Sequence, residues 1–132
     1  MVSCKVVSVV DNYMPAVKTF KEILAWQKGH RLVLSVYDVT KSFPPDERFR
    51  LVDQMCRSAV SFPANIAEGF KRKGLKDSLH FYNIAQGSLE ELKYYFQLAL
   101  DLKYIGKVKA DELNYLAAEC GRLLNGWASV QK

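Results

Sequence analysis

Apolar side chains return every three or four residues in four long stretches of this chain, which is the spacing of one face of an α-helix. Proline and glycine interrupt the pattern at residues 43–45, 69–74 and 106. The spacing between these breaks predicts helices over about residues 15–40, 45–69, 75–104 and 109–130. Because short links make successive helices antiparallel, we expect an all-α fold, an up-down-up-down four-helix bundle.

The bundle domain is predicted to span residues 15–132, after a leader of residues 1–14. In the leader, the valine-rich run 6–10 is compatible with a short strand or with irregular chain. Inside the second predicted helix, Pro63 removes one backbone hydrogen bond, so we expect a bend near Ala59.

The third predicted helix is apolar on two sides, which indicates burial on both. One stripe is formed by Leu79, Tyr82, Gln86, Leu89, Phe96 and Leu100. The other is formed by Phe81, Ala85, Ser88, Leu92, Tyr95, Ala99 and Leu102. One stripe suits the core of the bundle. The second fits either a neighbouring subunit or another helix of the same chain, and the sequence leaves both open.

Length and composition are those of one globular domain, with 132 residues and an apolar fraction of 49%. The valine-rich run is shorter than a signal-peptide core and far shorter than a membrane span. The cysteines Cys4, Cys56 and Cys120 form no CxxC pair and are odd in number, which favours reduced thiols. We therefore expect a cytoplasmic protein without a membrane segment.

Few polar residues have the spacing that catalysis requires. No phosphate-binding loop, dinucleotide fingerprint or G-x-S-x-G elbow occurs in the sequence. Asp77 and His80 have a D-x-x-H spacing, but a di-metal bundle needs two E-x-x-H pairs and further glutamates. His30, beside Trp26 and Val33 on an apolar helix face, fits a hydrogen-bonded core histidine better than a base or ligand. We expect no enzyme activity, no cofactor and no metal.

Positive charge is concentrated in the first part of the chain. Residues 1–76 carry 13 lysines and arginines against 7 acidic residues, and residues 77–132 carry 6 against 7. The candidate nucleic-acid-binding residues are Lys71, Arg72, Lys73 and Lys76 in the second link, with Arg48, Arg50 and Arg57 predicted along the second helix. Such side chains bind phosphates and release counterions. The alternative is a solvated loop that aids solubility.

Three segments carry a family signature: residues 24–30 (LAWQKGH), 53–70 (DQMCRSAVSFPANIAEGF) and 81–92 (FYNIAQGSLEEL). They resemble the 23S rRNA-intervening-sequence protein family, over roughly residues 20–105. The resemblance implies a four-helix bundle that assembles into a ring, commonly a pentamer. It also implies a fold shared with accessory proteins of diversity-generating retroelements, which assist a reverse transcriptase and bind nucleic acid. Cys56 and Phe62 depart from the usual signature residues but keep apolar volume.

Within the signature, Asn65 and Glu68 are three residues apart and neighbour each other on one helical face. If they are buried they need partners, and Ser88 or Gln86 on the third helix are within reach. The glycines expected to let two helices approach closely are Gly69 and Gly87.

The leading functional hypothesis is a non-enzymatic homo-oligomer, as a pentamer, that binds RNA or DNA through basic surfaces without reading sequence. The rival hypothesis is a protein-interaction scaffold, such as an accessory subunit of a retroelement reverse transcriptase.

Overall fold

The computed structural model describes residues 16–131, which form four α-helices. They are α1 (Leu24–Thr40), α2 (Leu51–Lys71), α3 (Leu75–Asp101) and α4 (Lys107–Ser129). Single turns of 3₁₀ helix lie at Phe20–Glu22 and Pro45–Glu47. This part of the chain contains no β-strand, so the all-α prediction is confirmed. The leader, with its run 6–10, lies outside the described residues.

The first helix begins at Leu24, well after the predicted residue 15. Thr19 has an extended backbone, and its hydroxyl oxygen accepts a hydrogen bond from the Lys21 N–H at 2.9 Å. This cap starts the 3₁₀ turn instead of an α-helix. Ile23 is extended again and only 2% exposed. The chain therefore enters the core at Ile23 before α1 can start.

The second helix begins at Leu51, because the predicted start is occupied by the 3₁₀ turn Pro45–Glu47. The Glu47 carboxylate accepts hydrogen bonds from the Leu51 N–H at 3.4 Å and from the Tyr104 hydroxyl at 2.7 Å. Glu47 thus stabilises the positive end of α2 and ties it to the loop after α3. Pro63 lies buried inside α2, and the bend near Ala59 stays a prediction.

The third helix ends at Asp101, earlier than predicted, because Lys103 adopts a left-handed conformation with φ 66°. The Tyr104 N–H then donates to the Ala99 carbonyl at 2.9 Å. This is the long-range bond of a Schellman motif, which ends a helix sharply. The early stop leaves room for α4 to start at Lys107.

The core lies between all four helices, since α1 packs against α2 and α4, and α3 packs against the same two. Its largest fully buried side chains are Phe62, Phe96, Ile23, Leu32, Met55, Ile66, Leu89, Leu92 and Leu124. Every helix contributes at least one of them, so no helix can be removed without exposing the core.

The second apolar stripe of α3 is used within the chain. Its central residues Ala85, Leu92 and Ala99 are fully buried. Because α3 packs against both α2 and α4, each of its apolar sides has a partner helix. The sequence left open whether this stripe contacts a neighbouring subunit or another helix of the same chain. At these three positions it contacts other helices of the same chain.

Two glycines let neighbouring elements approach closely. A Cβ added to Gly69 would lie 2.5 Å from the Tyr82 ring, and one added to Gly29 would lie 2.6 Å from the Phe62 ring. The prediction for Gly69 is confirmed. The prediction for Gly87 is wrong, because a Cβ there would meet nothing within 4 Å.

Candidate nucleic-acid interface

The turn between α2 and α3 presents four cationic side chains to solvent. We call residues 71–76 the basic turn. Arg72 and Gly74 have extended backbones, which end α2 and precede α3, so the chain reverses within a few residues. Lys71, Lys73 and Lys76 are exposed, as is Arg72. The structure therefore brings these four predicted residues together at one end of the molecule.

Arg72 differs from its three neighbours because it is held in place. Its guanidinium donates to the Glu68 carboxylate at 2.6 Å and lies over the Phe81 ring at 4.5 Å from the centroid. The carboxylate offsets one of the four charges. No salt bridge between described residues involves Lys71, Lys73 or Lys76. The lysines carry the net positive charge of the basic turn.

An open cavity of about 150 Å³ lies beside the basic turn. Its lining consists of Phe70, Arg72, Lys73, Gly74, Leu75, Ser78, Tyr82 and Gln131. Sites for drug-sized ligands usually have several hundred cubic ångströms. This cavity has room for a small ion or waters beside the cations.

The remaining three predicted residues lie elsewhere. Arg48 and Arg50 precede α2, and only Arg57 lies within it. Arg57 donates to Asp53 at 3.2 Å, which offsets its charge. Since α2 has 21 residues and a helix rises 1.5 Å per residue, roughly 30 Å separates Arg50 from the basic turn. The prediction of Arg48 and Arg50 along the second helix is therefore wrong, because both precede Leu51, whereas Arg57 lies in α2 as predicted.

An aromatic residue that the sequence reasoning missed lies between the two arginines. The side chain of Phe49 is 81% exposed, and the Arg48 guanidinium lies 5.2 Å from its ring centroid. The sequence contained a signal in the triplet Arg48-Phe49-Arg50, which follows the proline pair after two acidic residues. Neither arginine forms a salt bridge within residues 16–131.

The segment that carries Phe49 is anchored on both sides. Tyr104 packs its ring against Phe43 at 5.2 Å between centroids and donates its hydroxyl to Glu47 at 2.7 Å. This hydrogen bond to a carboxylate raises the pKa of the Tyr104 hydroxyl. On the other side, Leu51 is buried in the core. Phe49 is therefore exposed on a fixed backbone.

His30 is exposed, so the prediction of a core histidine is wrong. Its ring stacks on Trp26 with 5.2 Å between centroids and 6° between planes. Trp26 is half-buried and also receives the edge of Phe20 at 5.1 Å. The 3.6-residue period placed His30 on an aromatic face at the border of the core, and periodicity does not show how far burial extends beyond that border.

The signature residues form hydrogen bonds between α2 and α3. Asn65 donates to the Ser61 carbonyl at 2.8 Å, and the Ser61 and Ser88 hydroxyls lie 2.7 Å apart. Ser58 donates to the Ser88 carbonyl and to the Glu91 carboxylate, both at 3.1 Å. The expected link between Asn65 and Ser88 therefore runs through Ser61. We call these five residues the polar seam.

Glu68, which was expected to need a partner on α3, and Gln86, which was a candidate partner, form no hydrogen bond with each other. Glu68 is exposed and pairs with Arg72. Gln86 donates to the Gly121 carbonyl at 3.1 Å and to Asn125 at 3.0 Å, so it connects α3 to α4.

The thiols in the described part of the chain are Cys56 and Cys120. Burial raises the pKa of Cys120 to about 12 and also raises the pKa of the half-buried Cys56, which keeps both thiols protonated at neutral pH. Asp77 and His80 are both exposed. Between residues 16 and 131, no group of three or more histidine, cysteine or acidic side chains is placed to hold a metal ion.

None of the helices in the described range is long and apolar enough to span a membrane. The fold and the site define a small four-helix protein with exposed cations at the ends of its second helix. The chain belongs to the 23S rRNA-intervening sequence protein family, whose model matches residues 21–126. The resemblance inferred from the signature segments is thus confirmed.

A solved structure has a similar fold. It is a protein of unknown function from the S23 ribosomal protein family of Bacteroides thetaiotaomicron VPI-5482, with a TM-score of 0.73 and 23% sequence identity. The match covers 80% of this chain and 98% of that one. No curated protein matches this chain. At this level of identity the structural likeness supports the fold alone.

Proposed function

We propose that this protein binds RNA or DNA through the basic turn, as a non-enzymatic cytoplasmic homo-oligomer that does not read sequence. The observation that carries the proposal is the set of three exposed lysines, Lys71, Lys73 and Lys76, without carboxylate partners among the described residues. Unpaired exposed cations attract phosphates and release condensed counterions on binding. Membership of a family named for an insertion in ribosomal RNA agrees with a nucleic-acid partner.

Contacts between α2 and α3 support an antiparallel arrangement of these two helices, as the proposed up-down-up-down bundle requires. Ser58 and Ser61 of α2 meet Ser88 and Glu91 of α3, whereas Gly69, farther along α2, meets Tyr82, which precedes them on α3. We propose that such bundles assemble into a ring, in which each subunit adds one basic turn. Repeated turns would raise avidity through effective concentration. Light scattering that gives 15.1 kDa, the mass of one chain, would contradict the ring.

A salt titration tests the nucleic-acid proposal. Fluorescently labelled RNA of single-stranded, hairpin and duplex form is titrated with the protein at several salt concentrations. The double variant Lys71→Gln/Lys73→Gln removes two phosphate contacts, so we expect weaker binding and a salt slope reduced by about 1.4 to 1.8. No binding at low salt, or binding without a salt slope, would overturn the proposal.

A matched control separates the basic turn from net charge. The double variant Arg31→Gln/Arg122→Gln loses the same formal charge from two exposed arginines of α1 and α4 that form no salt bridge within the described residues. We expect its affinity and salt slope to stay close to those of the wild type. Equal losses in both double variants would mean that overall charge, not the basic turn, attracts the nucleic acid.

The alternative function is a protein-interaction scaffold, of which an accessory subunit of a reverse transcriptase is the form implied by the family resemblance. Exposed apolar side chains on α1 and α4, such as Leu34, Val108 and Tyr115, favour it. A pull-down with purified reverse transcriptase tests this alternative. Capture that persists in the Lys71→Gln/Lys73→Gln variant and at high salt would support it, and no capture would count against it.

A further inference from the structure

The exposed triplet Arg48-Phe49-Arg50 has no role in the fold that explains its composition. The Phe49 ring is the most exposed of the large apolar side chains in residues 16–131. Exposure of an aromatic ring to water is unfavourable relative to burial, because its apolar surface stays hydrated. The flanking arginines are exposed as well and have no carboxylate partner in the described range. This triplet therefore presents a π-face and two positive charges to solvent.

We propose that Phe49 is a stacking platform for an unpaired base of single-stranded RNA or DNA, with Arg48 and Arg50 binding the adjacent phosphates. The inference rests on the nucleic-acid function proposed above and names the form of nucleic acid that binds. An aromatic ring beside cations is the combination with which proteins hold single strands, because every base has a π-face and every nucleotide has a phosphate. Bases inside a duplex are stacked on each other and cannot reach such a ring.

The local geometry suits this role. Arg48 lies over the Phe49 ring at 5.2 Å, a cation–π arrangement that occupies one face. The ring is still 81% exposed, so the opposite face remains open to a base. Arginine guanidinium groups also bind phosphate oxygens in a bidentate way.

The backbone around Phe49 is fixed before any ligand binds. The Arg48 N–H donates to the Pro45 carbonyl at 3.1 Å, and the Arg50 N–H donates to the Glu47 carbonyl at 3.0 Å. Glu47 in turn is held by Tyr104 at 2.7 Å. A preorganised platform loses little conformational entropy on binding, so one aromatic side chain can contribute measurably to affinity.

The position of the triplet also limits the ligand. Roughly 30 Å separates it from the basic turn, the length of α2. Within one chain the two cationic groups therefore form separate contacts, and a flexible single strand can connect them more readily than a short rigid duplex.

The test compares Phe49→Ala with the wild type on two probes. One probe is a labelled single-stranded oligonucleotide, and the other is a strand of equal length in which the bases are replaced by abasic sites. Because base–aromatic stacking adds affinity only for the strand with bases, we expect Phe49→Ala to weaken that strand at least about fivefold. Binding of the abasic strand and the salt slope should not change. Phe49→Trp should restore the loss.

A control variant and the contrary outcomes complete the test. Tyr115→Ala removes another exposed aromatic, 69% exposed on α4 and without flanking arginines, and should leave both probes unaffected. An equal loss on both probes, no loss on either, or a changed oligomer mass in Phe49→Ala would overturn the stacking inference. If the wild type binds neither probe, the proposed function fails first and this inference fails with it.

Discussion

At the scale of single residues, Gly29 and Gly87 are both helical glycines with opposite surroundings. A Cβ on Gly29 would meet the fully buried Phe62 ring at 2.6 Å, whereas a Cβ on Gly87 would meet open space. We expect Gly29→Ala to lower the free energy of unfolding by about 1–3 kcal/mol, because the overpacked ring cannot move away. Gly87→Ala should raise it by about 0.5–1 kcal/mol through helix propensity.

Urea denaturation followed by circular dichroism measures both changes. Gly126→Ala is the matched control, since its Cβ would also meet nothing within 4 Å. The close approach of α1 to Phe62 would be disproved by a Gly29→Ala variant as stable as Gly87→Ala.

Gly69 and Gly87 show what the sequence can and cannot predict about a single residue. The spacing put Gly69 and Gly87 on helices, and the approach predicted for Gly69 to Tyr82 is present. Gly87 lies outside both apolar stripes of the third helix, and it faces away from the neighbouring helices. Likewise, His30 shares the face of Trp26 but lies beyond the edge of the core. Which residue opposes a position depends on helix rotation, and local spacing does not determine that rotation to within one residue.

At the scale of elements, the polar seam links α2 to α3 and has a consequence at high pH. Glu91 accepts hydrogen bonds from Ser58 at 3.1 Å and from the Tyr95 hydroxyl at 2.7 Å. The hydrogen bond to this carboxylate raises the pKa of Tyr95 from 10.0 to about 12. Because the folded pKa is raised, the stabilising contribution of Tyr95 is full below pH 10 and is lost as pH rises from 10 to about 12.

The variant Glu91→Gln should lower the pKa of Tyr95 towards 10.0, its ordinary value, because the negative charge is removed while an acceptor oxygen stays for Ser58. Spectrophotometric titration of tyrosinate measures this pKa, with Tyr95→Phe subtracted to isolate the group. An alkaline titration that is identical in Glu91→Gln and the wild type would show that the Glu91 carboxylate does not hold this hydroxyl.

Helix boundaries depended on side-chain details that periodicity does not contain. The apolar spacing correctly predicted four helices, but α1 starts only after the Thr19 cap and the buried Ile23. Just after the C-terminal end of α3, Lys103 has a left-handed backbone conformation that usually favours glycine. The seven cationic residues and the separation of the basic turn from the arginines were predicted from the sequence, whereas the position of Arg48 and Arg50 before α2 required the structure. Phe49 was missed because a single phenylalanine in a sequence usually indicates a core residue, and only the structure shows that this one is exposed.

At the scale of the whole molecule, the apolar surface of α3 is shared among its neighbours in one chain. Leu92, Phe96 and Ala99 are fully buried without any second subunit. An oligomer must therefore use other surfaces, and the exposed side chains of Ile84 and Tyr94 on the outer side of α3 show that this helix still has apolar groups to offer. Buried and exposed apolar residues thus occupy separate positions on α3, which makes the two sets separable by mutation.

The variant Leu92→Arg should abolish the folded state, because an unpaired charge would be buried where the wild-type side chain is 0% exposed. Circular dichroism and light scattering should show loss of helix rather than a folded monomer. Tyr94→Arg, two residues away and 59% exposed, is the control and should stay helical. If instead Leu92→Arg remains folded and has the mass of a single 15.1 kDa chain, then Leu92 lies at a contact between subunits. The packing of α3 between α2 and α4 would then be wrong.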